Sequence, residues 1–176
     1  MKKALKQRLK NVKLLILDVD GVLTNGQIIL DHQGKEIKIF DVQDGFSIVV
    51  FHRMGYKVAI ISARASDAVL ARAKDLKIEK IYQDARPKIN AYQQLLSEMN
   101  LKDHEVCFVG DDLPDVEILR KVGVAVSVAN AVKEVKSAAH YVTRRQGGQG
   151  AVREIIELIL KTQGRWDEVL KTFKVK

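Results

Sequence analysis

Six short runs rich in β-branched and apolar residues recur along the chain, with helical stretches between them. Strands are expected at 13–18, 57–61, 79–83, 105–109, 123–128 and 140–143. Helices are expected at 2–10, 45–54, 66–76, 88–99, 113–121, 131–137, 149–161 and 165–172. Such alternation builds an α/β fold: a Rossmann-like, doubly wound parallel sheet with helices on both faces. Val58-Ala59-Ile60-Ile61 and Val106-Cys107-Phe108-Val109 are apolar at every position, as strands covered on both faces must be. In the helix at 149–161, Val152, Ile155, Ile156, Ile159 and Leu160 recur at helical spacing, with Arg153, Glu154 and Glu157 turned outward. One segment breaks the alternation. Residues 27–40 carry two apolar runs around Asp31-His32-Gln33-Gly34 and read as a β-hairpin inserted after the first strand. With 176 residues and no linker, repeat or low-complexity tract, residues 1–176 read as one domain.

The first strand carries the most chemistry. Leu14-Leu15-Ile16-Leu17 ends abruptly on Asp18-Val19-Asp20-Gly21. Side chains alternate along a strand, so Asp18 and Asp20 leave its tip on the same side. Two like charges at the end of a buried strand repel unless a cation joins them. A hard divalent ion such as Mg2+, held by one or two carboxylates plus a substrate phosphate, resolves the conflict.

Bulk charge points the same way. The chain has 30 Lys plus Arg against 22 Asp plus Glu, a net +8 that favours anionic partners. Part of that excess is terminal decoration: Lys2, Lys3, Lys6, Arg8 and Lys10 at one end, Lys171, Lys174 and Lys176 at the other. Cys107 is the sole cysteine, so an internal disulfide is excluded and a reducing, cytoplasmic setting is expected. The apolar stretch after the basic residues 1–11 is cut by Asp18 and Asp20, which argues against a signal peptide. No run approaches the ~18 apolar residues of a membrane span. His32, His52, His104 and His140 lack zinc-ligand spacing.

In a doubly wound sheet, ligands gather beyond the carboxyl ends of the strands. The first strand delivers Asp18 and Asp20 there, the second Ser62 and Arg64, and the third Asp84, with Lys88 opening the next helix. The fourth delivers Gly110-Asp111-Asp112-Leu113-Pro114-Asp115. Carboxylates, a hydroxyl and a lysine on one edge suit phosphoryl transfer through an aspartyl phosphate. A carboxylate nucleophile divides a hard hydrolysis into two displacements. A metal, a lysine and a hydroxyl neutralise the phosphoryl oxygens. A second acid protonates the leaving alcohol and then activates water.

These motifs resemble those of haloacid dehalogenase-superfamily phosphatases: Asp18-Val19-Asp20-Gly21-Val22-Leu23-Thr24, then Ser62, then Lys88, then Gly110 to Asp115. The resemblance spans essentially the whole chain. It implies Asp18 as nucleophile and Asp20 as general acid/base, the latter lending its backbone carbonyl to Mg2+. It further implies Asp111 as a metal ligand, Asp112 and Asp115 as supports of the metal site, and Ser62 and Lys88 as holders of the phosphoryl oxygens. Neither the 21–62 gap nor the 88–111 gap has room for a cap domain, which matches the capless subgroup. Phe40-Asp41-Val42-Gln43-Asp44-Gly45, Ser62-Ala63-Arg64 and the tail from Tyr141 to Glu154 resemble the members of that subgroup that act on phosphorylated eight-carbon sugar acids. By that resemblance Asp20, Lys88, Arg64, Arg72 and the loop Asp41, Val42, Gln43, Asp44, Gly45 contact the substrate. Arginine reads a carboxylate bidentately, which suits a sugar acid.

A capless enzyme must borrow a roof to exclude water. The hairpin at 27–40 is therefore expected to pack against other subunits of a homo-oligomer, a tetramer by the resemblance. The loop Gly147-Gly148-Gln149-Gly150, with Arg144 and Arg145, is expected to be mobile and to close over a site. A nonulosonate 9-phosphate phosphatase is the alternative enzyme. A non-catalytic binding or regulatory subunit of the same fold is the alternative from another class. The intact carboxylate set disfavours the latter, and neither nucleic acid nor a membrane is expected as a partner.

Overall fold

A computed structural model describes residues 3–175. Its organising element is β1 (Leu14–Leu17), four fully buried residues at the centre of a sheet. β4 (Lys57–Ile61) lies on one side of it and β6 (Val106–Gly110) on the other, both parallel to it. β5 (Lys80–Tyr82) extends one flank; β7 (Val124–Ser127) and β8 (Tyr141–Val142) extend the other. The order is β5-β4-β1-β6-β7-β8, parallel throughout. Counted along this sheet alone, the strands run 3-2-1-4-5-6, the Rossmann order. The direction in which successive strands are added reverses between the first and fourth strands, where a crevice opens for ligands. Register sets Leu17 level with Ile60 and Val109, so the residues following all three emerge together.

The connecting helices are α1 (Lys3–Leu9), α2 (Val42–Arg53), α3 (Asp67–Asp75), α4 (Lys88–Met99), α5 (Val116–Leu119), α6 (Lys133–Ala138), α7 (Ala151–Thr162) and α8 (Trp166–Thr172). The expected apolar stripe of α7 is buried in full, from Val152 to Leu160. Residue 2 of the first expected helix, with Lys2 and Lys176, falls outside the described residues; Lys3, Lys6, Arg8, Lys10, Lys171 and Lys174 are exposed.

Most element boundaries fall within two residues of expectation, and two depart further. α2 starts at Val42 rather than 45, because the Asp41 carboxylate accepts the N–H groups of Gln43 and Asp44 and caps the helix there. The stretch 113–121 is not one helix. Asp115 turns its carboxylate back onto the N–H groups of Asp111 and Asp112, tightening Leu113–Asp115 into a 3-10 turn before the short α5. Gly45 sits inside α2 with Arg72 Nη2 only 2.1 Å from where a Cβ would lie, so the guanidinium packs onto the helix there.

Between β1 and β4 the chain builds only α2 and a small hairpin, β2 (Ile29–Leu30) and β3 (Glu36–Ile37), paired antiparallel. A cap domain is absent from this connection and from the one between α4 and β6. No helix among the described residues is long and apolar enough to cross a membrane.

Candidate active site

Asp18 is the first residue beyond β1, and its N–H donates to Val109 O at 3.1 Å, continuing the ladder to the last rung. The chain then folds into a tight loop in which Val19 O accepts the N–H groups of Val22, Leu23 and Thr24. Gly21 adopts φ +85°. A Cβ on it would fall 1.9 Å from Asp111 Oδ2, so only glycine lets the loop from β1 lie against the carboxylate that follows β6. Asp18, Asp111 and Asp115 thereby bring one oxygen each within 4.8 Å of one another.

Lys88, the buried first residue of α4, reaches into this group. Its Nζ lies 2.8 Å from Asp18 Oδ1 and 2.7 Å from Asp115 Oδ1. Asp115 is itself fully buried and spends its second oxygen on two backbone N–H groups. It therefore works as a fixed anchor for the lysine and for the loop carrying Asp111. Ser62 is buried just past β4, and its Oγ accepts the N–H of Arg64 at 3.2 Å. Asp112 caps the 3-10 turn through the N–H of Leu113. A cavity of about 240 Å³ opens onto Asp18, Asp20, Ser62, Arg64, Lys88 and Asp111, with Asp112 and Asp115 at its edge. A larger cleft of about 710 Å³ lies near Lys13 and Lys57, at the opposite ends of β1 and β4, and gathers no comparable set.

The electrostatics demand a cation. Burial, then the Asp115 charge, push the Asp18 carboxyl up to about 7 against the opposing pull of Lys88. Burial, then Asp18 and Asp115, push Asp111 up to about 8. Burial opposes the charge on Lys88, but Asp18 and Asp115 outweigh it and raise its affinity for the proton. One ammonium thus serves three carboxylates. Asp111 Oδ1 is buried with no hydrogen-bond partner. An orphaned oxygen beside a second carboxylate is what a hard divalent ion binds, and the donor set fits one.

The structure adds two residues that sequence reasoning missed. Lys38, just after β3, has a side chain only 2% exposed, and its Nζ bonds Asp20 Oδ1. It also lies 3.2 Å from Glu36 Oε1. Glu36 holds Arg64 Nη2 at 2.8 Å, while Arg64 Nε stands 3.7 Å from Asp20 Oδ2. The hairpin therefore grips two residues of its own chain's site, Asp20 and Arg64, from behind the cavity lining. Alternation along Glu36-Ile37-Lys38-Ile39 puts both charges on one face, a signal open to a period-two reading.

Other expected contacts are placed differently. Asp41, Val42, Gln43, Asp44, Gly45 and Arg72 do not line this cavity within one chain. Asp44 is buried, and its carboxylate accepts the N–H groups of Gly150 and Arg153, tying α2 to the start of α7. Burial pushes that carboxyl up to about 6. Arg72 donates to Asp75 and stands over the Phe40 ring. The glycine loop is no lid in this chain. Gly148 N–H donates to Val22 O at 2.9 Å, and a Cβ on Gly147 would lie 1.7 Å from Gly21 O. The loop backs the Asp18–Asp20 turn instead, while the N–H groups of Arg144 and Arg145 are held by Glu154.

A Rossmann-ordered sheet with this acidic, lysine-bridged crevice defines a phosphotransfer hydrolase, and residues 59–156 match the family model of the haloacid dehalogenase-like hydrolases. The chain belongs to that family. Its relatives are narrower still. It is 42% identical over 159 residues to the 3-deoxy-D-manno-octulosonate 8-phosphate phosphatase KdsC of Yersinia pestis, covering 90% of this chain and 85% of the relative. The Escherichia coli K12 enzyme of the same name is 43% identical over the same spans. The solved structure of the Moraxella catarrhalis phosphatase, in complex with a magnesium ion, a phosphate ion and a KDO molecule, superposes with a TM-score of 0.96. It is 39% identical, over 98% of this chain and 99% of that one.

Proposed function

We propose that this chain is a Mg2+-dependent phosphomonoesterase that hydrolyses 3-deoxy-D-manno-octulosonate 8-phosphate to the free sugar acid and phosphate. The observation that carries the reading is the Lys88-bridged group of Asp18, Asp111 and Asp115, set at the mouth of the switch-point crevice. The kinship with phosphatases named for that substrate selects the sugar.

Asp18, Asp111 and the backbone carbonyl of Asp20 would hold Mg2+, with Asp112 and Asp115 supporting them. When bound, the ion neutralises charge on the phosphoryl oxygens. Lys88 and Ser62 do the same from the other side. An Asp18 oxygen attacks phosphorus, the bond from phosphorus to the sugar O8 breaks, and Asp20 gives its proton to the leaving alkoxide. In the second half Asp20 takes a proton from water, whose oxygen attacks phosphorus. Phosphate leaves and the Asp18 carboxylate is restored. Arg64 pairs with the sugar carboxylate.

Asp41, Val42, Gln43, Asp44, Gly45 and Arg72 then contact substrate from a neighbouring subunit, in a homotetramer. Exposed apolar side chains on the hairpin and early α2 support assembly: Ile28, Leu30, Ile37, Ile39, Val42 and Phe46. The pairing register puts Ile37 and Ile39 on one hairpin face and Ile28 and Leu30 on the other, so both faces offer apolar surface to a neighbouring copy. The natural setting of the reaction is cytoplasmic lipopolysaccharide sugar synthesis.

The test is phosphate release from a panel of sugar phosphates with Mg2+. Asp18→Asn should lose at least several hundredfold in turnover, the scale of removing a covalent nucleophile. Comparable turnover by the variant would exclude the aspartyl-phosphate route.

A further inference from the structure

Asp20 has two oxygens and two different jobs for them. Oδ1 is engaged by Lys38 Nζ, whose side chain is almost wholly enclosed, whereas Oδ2 has only Arg64 Nε at 3.7 Å. Lys38 is held in turn by Glu36, whose carboxylate also fixes Arg64. A carboxylate gripped at one oxygen has its rotation about χ2 frozen, and the other oxygen is left to exchange a proton.

We propose that Lys38 is a positioning residue for the Asp20 acid/base, and that Glu36 sets Lys38 for that task, so the hairpin takes part in proton transfer in its own chain. This rests on the phosphatase reading above. Lys38 donates one N–H to Oδ1 and keeps its own protons throughout. Oδ2 carries the proton that passes to the departing alkoxide, and Oδ2 recovers one from the attacking water. The same contact explains how a protein without a cap keeps its acid/base aimed: a lysine from the insertion substitutes for the pressure of a closing domain. Misaiming a catalytic group by about 1 Å costs on the order of a hundredfold.

The discriminating property is the leaving group. A sugar alkoxide needs a proton as it departs; p-nitrophenolate does not. Rapid-quench measurements on the assembled, Mg2+-loaded enzyme should compare 3-deoxy-D-manno-octulosonate 8-phosphate with p-nitrophenyl phosphate. In Lys38→Met, phosphorylation of Asp18 by the sugar ester should slow by about tenfold to a hundredfold, with KM changed less than about threefold. Release of p-nitrophenolate in the first turnover should slow by less than about threefold, followed by slow dephosphorylation, since water attack still needs Asp20. Lys38→Arg, which restores a cationic donor, should recover most of the sugar-ester rate, and Glu36→Gln should show a milder form of the Lys38→Met pattern. Equal slowing of both esters in the first turnover, or no slowing of either, overturns the proposal. If Lys38→Met does not fold, Glu36→Gln decides alone by the same ratio. Failure of the phosphatase reading itself looks different: Asp18→Asn would then release phosphate as fast as the parent enzyme.

Discussion

Lys88 Nζ and Asp115 Oδ1 meet at 2.7 Å, both almost wholly out of solvent, and that contact ties the start of α4 to the turn after β6. Because Asp18 shares the same ammonium, the lysine is the only positive charge, among the described residues, that pairs with the three-carboxylate cluster. Lys88→Met should therefore destabilise the metal-free protein by about 3–5 kcal/mol, the cost of leaving buried charge unpaired. Urea unfolding would measure it. Millimolar Mg2+ should recover part of the loss, since the cation relieves the same repulsion; a metal-independent loss would mean that packing, not charge, explains the effect.

Proton and cation compete for the same oxygens. Unfolded, the Asp18 and Asp111 carboxyls ionise near 3.8; folded without metal, they hold protons up to about 7 and about 8. Between those limits the native state binds protons that the unfolded chain does not, so metal-free stability falls as pH rises through this range. Mg2+ replaces the protons. The gain in Tm on adding Mg2+ should accordingly be larger at about pH 8 than at about pH 6. Differential scanning fluorimetry at the two pH values checks this, and a gain that shrinks with rising pH contradicts it.

Gly21→Ala strikes the cation site by geometry alone. Its Cβ would overlap Asp111 Oδ2, and φ +85° is strained for any side chain. We expect a stability loss of about 1–2 kcal/mol, from the left-handed backbone alone. Mg2+ affinity should fall by at least about tenfold, which is only about 1.4 kcal/mol of displaced ligand geometry. Isothermal titration with Mg2+ reads the second effect, and affinity equal to the parent protein's would refute it.

Ile39 and Val42 are 64% and 78% exposed, which suits the subunit interface proposed for the hairpin. Ile39→Glu with Val42→Glu should shift the sedimentation profile from oligomer towards monomer while circular dichroism stays unchanged. An unaltered profile would place the subunit interface elsewhere.

Much of this molecule was readable from local pattern. Leu14 to Leu17 announced a buried strand, and the carboxylates, serine and lysine that follow the strands do share one edge, because parallel strands all point the same way. The helix at 88–99 was bounded correctly, since Pro87 precedes it and Asn100 ends it in a left-handed cap. What local pattern lacked was the direction of long-range contacts. Glu36 and Lys38 look like ordinary charges on a hairpin, and nothing nearby in sequence says that the hairpin leans onto Asp20. Nothing near Asp44 in sequence says that its carboxylate accepts from Gly150 and Arg153, more than a hundred residues away. The glycines at 147–150 invite a flexible reading; Gly147 and Gly148 are small because another backbone passes against them.

That last close approach, Gly147 against the carbonyl of Gly21, has a consequence for biosynthesis. The turn bearing Asp18 and Asp20 is braced by a segment that follows all six strands of the main sheet in the chain. During synthesis the ribosome therefore delivers the whole sheet before the turn gains that support.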